Sequence, residues 1–472
     1  MTTPHDELLS FDVATLADKF RAREISPVEV TEAYLARIEQ VEGKLHSYIT
    51  VTDKVARKAA KKAEAEITAG KWRGPFHGVP IGLKDLLYTK GIRTTGGSKI
   101  LADFKPDYDA TVWARLARAG AVLLGKLNLH EFAYGISSSN PHWGIARNPY
   151  ALDRIPGGSS GGSAAAIVAC SAAATIGTDT GGSIRIPAAL CGCVGLKPTW
   201  SRVSRYGVLP LAYTLDHVGP ITRTVRDAAL MLGVIAGHDR NDSTSSRERV
   251  RDYTKALDTG VSGIRIGVIR ELNDGLSDDV AKSFHAAIDQ FRSLGAVVDE
   301  ATIPSLPLAG VITGIIVSGE ALEIHEDWIR TRRQDYGEDV RRLLENGMMT
   351  TATAYIRAQR ARARVLAEAS AALASRDVLI APGSAIGAPK IGEGGLLGQP
   401  EDRVDVGNAI LRFTSPFDVT GQPALAIPTG LSSEGLPLSM QVIGRPFGEE
   451  QVIQVAAAYE RARGAMPRPT AI

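Results

Sequence analysis

The stretch PGGSSGGSAAAIVACSAAATIGTDTGGSIRIPAALCGCVGLKP, residues 156–198, carries two glycine loops that each present serine. One holds Ser159 and Ser160, the other Ser183. Between them, 163–174 is nearly all small and apolar, and reads as a helix buried all round and packed close to neighbouring backbone. Glycine turns tightly and leaves its N–H groups uncovered, so two such loops can bring hydroxyls and free amides to one reacting carbonyl. Neither loop has the Lys-Ser/Thr ending of a phosphate-cradling P-loop.

Outward from that block, the apolar run 81–88 and the segment 120–125 read as buried strands, with a helix over 111–119. This alternation predicts an α/β fold with a covered sheet. Upstream, 12–42 forms two helices split at Ser26-Pro27, an N-cap followed by a first-turn proline, and 52–69 a charged, alanine-rich helix. Downstream, 225–237 is helical, 264–269 a strand, 278–294 an amphipathic helix, and 296–301 and 377–382 are strands. Residues 319–375 read as a helical excursion, 383–405 as a glycine- and proline-rich loop bordering a substrate entrance, 423–428 and 438–443 as closing strands, and 449–463 as a last helix. No linker divides the chain. The expectation is one large α/β/α domain over 1–472, with a core at about 75–220 and a mixed, mostly parallel central sheet.

Composition narrows the partners. Of 472 residues 44% are hydrophobic and 22% charged, and the net charge of +2 predicts neither nucleic acid nor an anionic membrane as partner. No run reaches the ~18 apolar residues of a membrane span. The polar segment 1–10 lacks the apolar core of a signal peptide, so a cytoplasmic protein is expected. Cys170, Cys191 and Cys193 read as buried free thiols. Neither a metal signature nor a dinucleotide fingerprint appears, so no metal or cofactor is expected.

Three residues carry candidate chemistry. Thr180-Gly181-Gly182-Ser183 offers successive backbone N–H groups beside a hydroxyl, the makings of an oxyanion hole and nucleophile, or simply a structural turn. Lys84, followed by Asp85 inside an apolar run, is either a desolvated amine able to act as a base or a lysine snorkelling to solvent. Ser159 could relay a proton between them or, like Ser160, cap the helix that follows. Two rivals compete. Gly157-Gly-Ser-Ser-Gly161 matches a nucleophile-elbow pattern but follows a proline-ended loop rather than a strand. His130 and His217 are the best histidines for a Ser-His-Asp triad, though neither lies in a chemical context. From another class, 157–163 could be an anion nest of a non-catalytic nucleotide-binding protein.

Taken together these pieces resemble the amidase signature family. Gly78-Val-Pro-Ile-Gly-Leu-Lys-Asp85 is similar to its lysine strand. Gly125-Lys-Leu-Asn-Leu-His-Glu-Phe-Ala133, Arg147-Asn-Pro-Tyr150, Gly195-Leu-Lys-Pro-Thr199, Ser204-Arg-Tyr-Gly207 and Leu215-Asp-His-Val-Gly-Pro220 match further pieces in order. The resemblance spans roughly 10–460 and is weakest over 240–410. It implies Ser183 as nucleophile, Ser159 on a cis peptide as relay and Lys84 as base. It further implies an oxyanion hole from the N–H groups of Thr180, Gly181, Gly182 and Ser183, with Asp179 and Arg185 pinning that loop. Residues Tyr134, Gly135 and Ile136 match the segment that lines the acyl side. The implied protein is a serine amidohydrolase acting on aryl or small apolar acyl amides, with esters or carbamates open. Its expected partner is a small-molecule amide, with no nucleic acid, no membrane, and a homodimer left open. Within the family the alternative is the A subunit of a glutamyl-tRNA(Gln) amidotransferase. In that pattern an aspartate before Phe-Thr helps hold the glutamine α-amino group, and the matching residue here is Leu411, which cannot pair with an ammonium.

Overall fold

The computed structural model describes residues 4–392 and 403–472. Thirteen strands run in chain order: β1 Tyr48–Val51, β2 Pro80–Lys84, β3 Val122–Leu127, β4 Ser139–Asn140, β5 Gly144–Ile145, β6 Ala174–Asp179, β7 Val194–Lys197, β8 His217–Thr222, β9 Arg265–Ile269, β10 Val297–Ala301, β11 Val378–Pro382, β12 Ala424–Leu431 and β13 Pro437–Ile443. β4 and β5 pair only with each other; the other eleven form one sheet in the order β1-β3-β2-β6-β8-β7-β12-β13-β11-β9-β10.

Period-two alternation feeds both faces of this sheet. Val378 and Ile380 of β11 enter the core built with helices Pro27–Leu45, Val225–Ile235, Asp278–Ser293 and Glu449–Arg463. Leu379 and Ala381 enter the opposite core, shared with Ala309–Thr331, Glu338–Gly347, Ala352–Ala374 and Arg403–Val419. Helices Gly161–Val168 and Arg185–Cys191 cover the centre, packing Ala164, Ile167 and Ala188 against Ala426 of β12.

The α/β layering and the mixed sheet agree with expectation, but the preponderance of parallel pairs does not. Four neighbouring pairs are parallel (β2–β3, β2–β6, β9–β11, β9–β10) and six antiparallel. The centre is antiparallel because β7 returns beside β8, and because β12 and β13 form a hairpin across the short segment 432–436, too short for the crossover helix that parallel neighbours need. β6, β7 and β8 are absent from the sequence reading. The alanine-rich run fits helix or strand, and the turn at Cys170 (φ 55°) ends the helix early.

The helical excursion opens at Ala309 rather than 319, because Gly310 and Gly314 break its apparent periodicity. Its first helix, with the preceding turn (Leu306–Thr331), is by length and composition alone long and apolar enough to span a bilayer, although its glycines, threonines and acidic residues leave no continuous apolar run. It packs against Glu338–Gly347, Ala352–Ala374 and Arg403–Val419. Part of the expected loop 383–405 is the start of Arg403–Val419, a helix disguised by Pro416; residues 393–402 lie outside the described residues.

Candidate active site

β2 and β6 are parallel neighbours, Leu83 facing Ile176, so both end at the same edge of the sheet and bring Lys84 beside Thr178. Lys84 is 0% exposed. Its Nζ donates to Thr178 Oγ1 at 2.7 Å and lies 2.7 Å from Ser159 Oγ. Burial pulls its pKa down from 10.5 to about 7, against the opposing pull of Asp179 and Asp216. The snorkelling alternative fails, since the whole side chain, amine included, is buried. Asp85 turns away, pairing with Lys126 Nζ at 3.1 Å and accepting from Thr95 N and Oγ1.

The Gly158–Ser159 peptide is cis. The Ser159 carbonyl accepts from His130 N–H at 3.1 Å and from Ser138 Oγ at 3.2 Å. Neither serine caps the helix Gly161–Val168. Ser160 Oγ instead donates to the Thr178 carbonyl at 3.2 Å, and Ser160 N–H donates to the Ser183 carbonyl at 3.3 Å, so the two serine loops are sewn together. The anion nest is not open either. All of 157–163 is buried, Gly161 N–H donates to Ser138 Oγ and Gly162 N–H to the Asn128 carbonyl.

Ser183 sits in the turn between β6 and Arg185–Cys191. Asp179 pins that turn, accepting from Gly182 N–H at 2.6 Å, Ile184 N–H at 3.0 Å and Arg185 N–H at 3.3 Å. Burial would raise the Asp179 pKa, but the Arg185 guanidinium overrides it and holds the carboxyl well below its usual range. Arg185 also bonds Asp418 at 2.6 Å, the Thr414 carbonyl and Gln441. Gly182 is therefore not a free donor, which corrects one of the four expected oxyanion-hole residues. Thr180, Gly181 and Ser183 have N–H groups with no acceptor among the described residues. Thr180 Oγ1 donates to Asp216 Oδ1 at 2.6 Å, anchoring the loop from the other side.

Ser183, 6% exposed, borders a cavity of about 340 Å³ lined by Tyr134, Gly135, Ile136, Gly181, Val317 and Leu411, among others. Among the described residues, no lining side chain bears a charge. A Cβ placed on Gly181 would lie 3.8 Å from Leu411 Cδ2, which puts Leu411 against the nucleophile loop. A second cavity of about 270 Å³ shares Ala133, Thr180 and Leu211 with the first and adds charged groups, Arg205, Asp216 and Asp242, to a largely apolar wall.

The rival histidines lie elsewhere. His217 is buried, Nε2 3.2 Å from Lys197 Nζ and Nδ1 3.2 Å from the Asp179 carbonyl. His130 does stand between a serine and an aspartate, Ser137 Oγ at 3.3 Å and Asp339 Oδ2 at 2.9 Å, but Ser137 is 1% exposed and is not on the cavity wall. Sequence reasoning did not single out Thr178, Asp216 or Asp418. Asp216 lies within the Leu215–Pro220 motif, Thr178 has no signal beyond its place before the loop, and Asp418 meets Arg185 only through the fold.

A family model described as Amidase matches residues 29–453. A curated relative from Geobacter metallireducens, named as the A subunit of glutamyl-tRNA(Gln) amidotransferase, is 42% identical over 97% of this chain and 98% of its own length. The peptide amidase of Stenotrophomonas maltophilia is 34% identical with a TM-score of 0.87, covering 98% of each chain. A structure described as a vestigial protein complex revealing the origins of an s-triazine catabolic enzyme is 32% identical with a TM-score of 0.90, covering 97% of this chain and 100% of that one. The expectation of a small-molecule amide as sole partner, without nucleic acid, does not stand against these matches. The relative's name carries both a tRNA and membership of a multi-chain enzyme, and the net charge that prompted the expectation speaks only to non-specific attraction.

Proposed function

We propose, from the premise that the chain belongs to the amidase signature family, that it hydrolyses uncharged carboxamides through an acyl-enzyme on Ser183. The observation that carries this is the buried Lys84 amine, 2.7 Å from Ser159 Oγ at the strand end beside the Ser183 loop. With its pKa near 7, much of the amine is neutral at physiological pH. One N–H is spent on Thr178, and the lone pair takes the Ser159 proton as Ser159 takes that of Ser183. Ser183 Oγ attacks the amide carbon, and the N–H groups of Thr180, Gly181 and Ser183 receive the developing oxyanion. As the C–N bond breaks, Ser159 protonates the departing amine and regains a proton from Lys84. Water, deprotonated along the same route, then releases the carboxylic acid and frees Ser183.

The cavity beside Ser183 supports an apolar acyl group such as an aryl or short alkyl chain, with Tyr134, Gly135 and Ile136 as its wall. A free glutamine would bring an ammonium and a carboxylate to a wall that carries no charge of its own, the nearest countercharges being Arg205, Asp216 and Asp242 of the adjoining cavity, and burying either group unpaired is costly. A second reading has its own support. The near full-length match to the amidotransferase relative favours a glutaminase working with partner chains on a tRNA-linked substrate. Ammonia or amine release from aryl acylamides, aliphatic amides and glutamine, with alcohol release from esters, separates the two. Turnover of apolar amides with none of glutamine supports the first. Glutamine turnover alone overturns it in favour of the second.

A further inference from the structure

His130 takes no part in the steps above, yet it touches three parts of the site. Its N–H holds the Ser159 carbonyl. Its ring fills the space that a Cβ on Gly135 would need, so glycine is what lets 134–136 pass against the imidazole. The next residues along that wall meet Gly158, where a Cβ would lie 2.7 Å from the Ile136 carbonyl carbon and 2.8 Å from Ser137 N. Beyond the ring, Nε2 is 2.9 Å from Asp339 Oδ2, in the first turn of Glu338–Gly347, whose Leu343 lines the cavity. The neighbouring Glu131, fully buried, accepts from Gly337 N–H at 2.7 Å, so two consecutive residues fasten the helical excursion to the wall of the site.

We propose that His130 is a positioning residue for acyl-group selection: seated behind the cavity wall, between Gly135 and Asp339, its imidazole props the 134–136 segment forward and thereby limits the width of the cavity beside Ser183. This rests on the amidase reading. Close-packed walls do not deform smoothly, so removing a wedge lets them relax into the vacated volume. Bulky acyl groups then gain relative to small ones.

The test uses a short-chain and a bulky aryl fluorophosphonate, with a matched pair of amides, on wild type, His130→Ala, His130→Gln and Asp339→Asn. His130→Ala is expected to move the bulky-to-small ratio of kcat/KM about tenfold toward the bulky amide, the scale of one or two methylenes of pocket fit, chiefly through KM. His130→Gln restores part of the wild-type ratio, and Asp339→Asn shifts it less, in the same direction. An unchanged ratio, equal losses on both amides, or a shift toward the small one overturns the proposal, and Asp339→Asn decides if His130→Ala does not fold. Wild type that reacts with neither fluorophosphonate overturns the amidase reading and this proposal with it. Labelled wild type with an unmoved ratio removes only the positioning role.

Discussion

Replacing Lys84 by methionine is expected to destroy activity and to stabilise the protein. Burial draws the Lys84 pKa from 10.5 to about 7, a difference of about 5 kcal/mol at about 1.4 kcal/mol per unit. The sign follows from proton counting. Between pH 7 and 10.5 the unfolded chain holds the proton and the folded one does not, so stability rises with pH across that window and the penalty is full below about pH 7. Methionine lifts the penalty but leaves the Ser159 and Thr178 hydroxyls without their amine, at about 1 kcal/mol each. The net is a gain of roughly 2–4 kcal/mol near pH 6, fading to nothing near pH 9.5. Urea unfolding of both proteins at these two pH values measures it. In parallel, kcat/KM of the variant on an apolar amide falls by about 10²–10⁴. The wild-type kcat/KM falls tenfold per unit below about pH 7 as Lys84 takes up its proton. A variant less stable than wild type near pH 6, or a stability difference that ignores pH, would refute the desolvated amine as the organising feature of the site.

Arg185→Met strands Asp179 and Asp418 in the core without their guanidinium, and is expected to cost about 3–5 kcal/mol by urea unfolding. Asp216→Asn removes the charge from the group that accepts from Thr180 Oγ1 and from Leu211 and Ala212 N–H; a fall in kcat of about 10–100-fold, with KM little changed, is the expected steady-state result. Leu411→Asp places a carboxylate against the nucleophile loop, so turnover of apolar amides drops and ammonia release from glutamine rises above the wild-type level.

Much of the site could be read along the chain because its chemistry depends on short contiguous loops. Gly-Gly-Ser at 181–183 marks a loop whose amides can be left uncovered, and a lysine in the apolar run 81–88 marks an amine that is either desolvated or snorkelling. The oxyanion donors were over-read for a related reason. Four successive N–H groups look alike in sequence, whereas Asp179 claims one of them only because the turn folds back onto its own carboxylate. Strand β6 merges with the alanine run before it, and β7 and β8 are short strands buried on both faces, so none of the three has a period of its own.

Residue order alone determined the presence of a lysine within an apolar run, two serine loops and the alternation of strand and helix, since each is a matter of local composition and spacing. The parallel register of β2 with β6 that sets Lys84 beside Thr178, the burial that makes the amine a base, and the pairing of Arg185 with Asp418 from the far end of the chain were decided only in three dimensions. Desolvation and ion pairing depend on what surrounds a group on every side, and a sequence specifies only its two covalent neighbours.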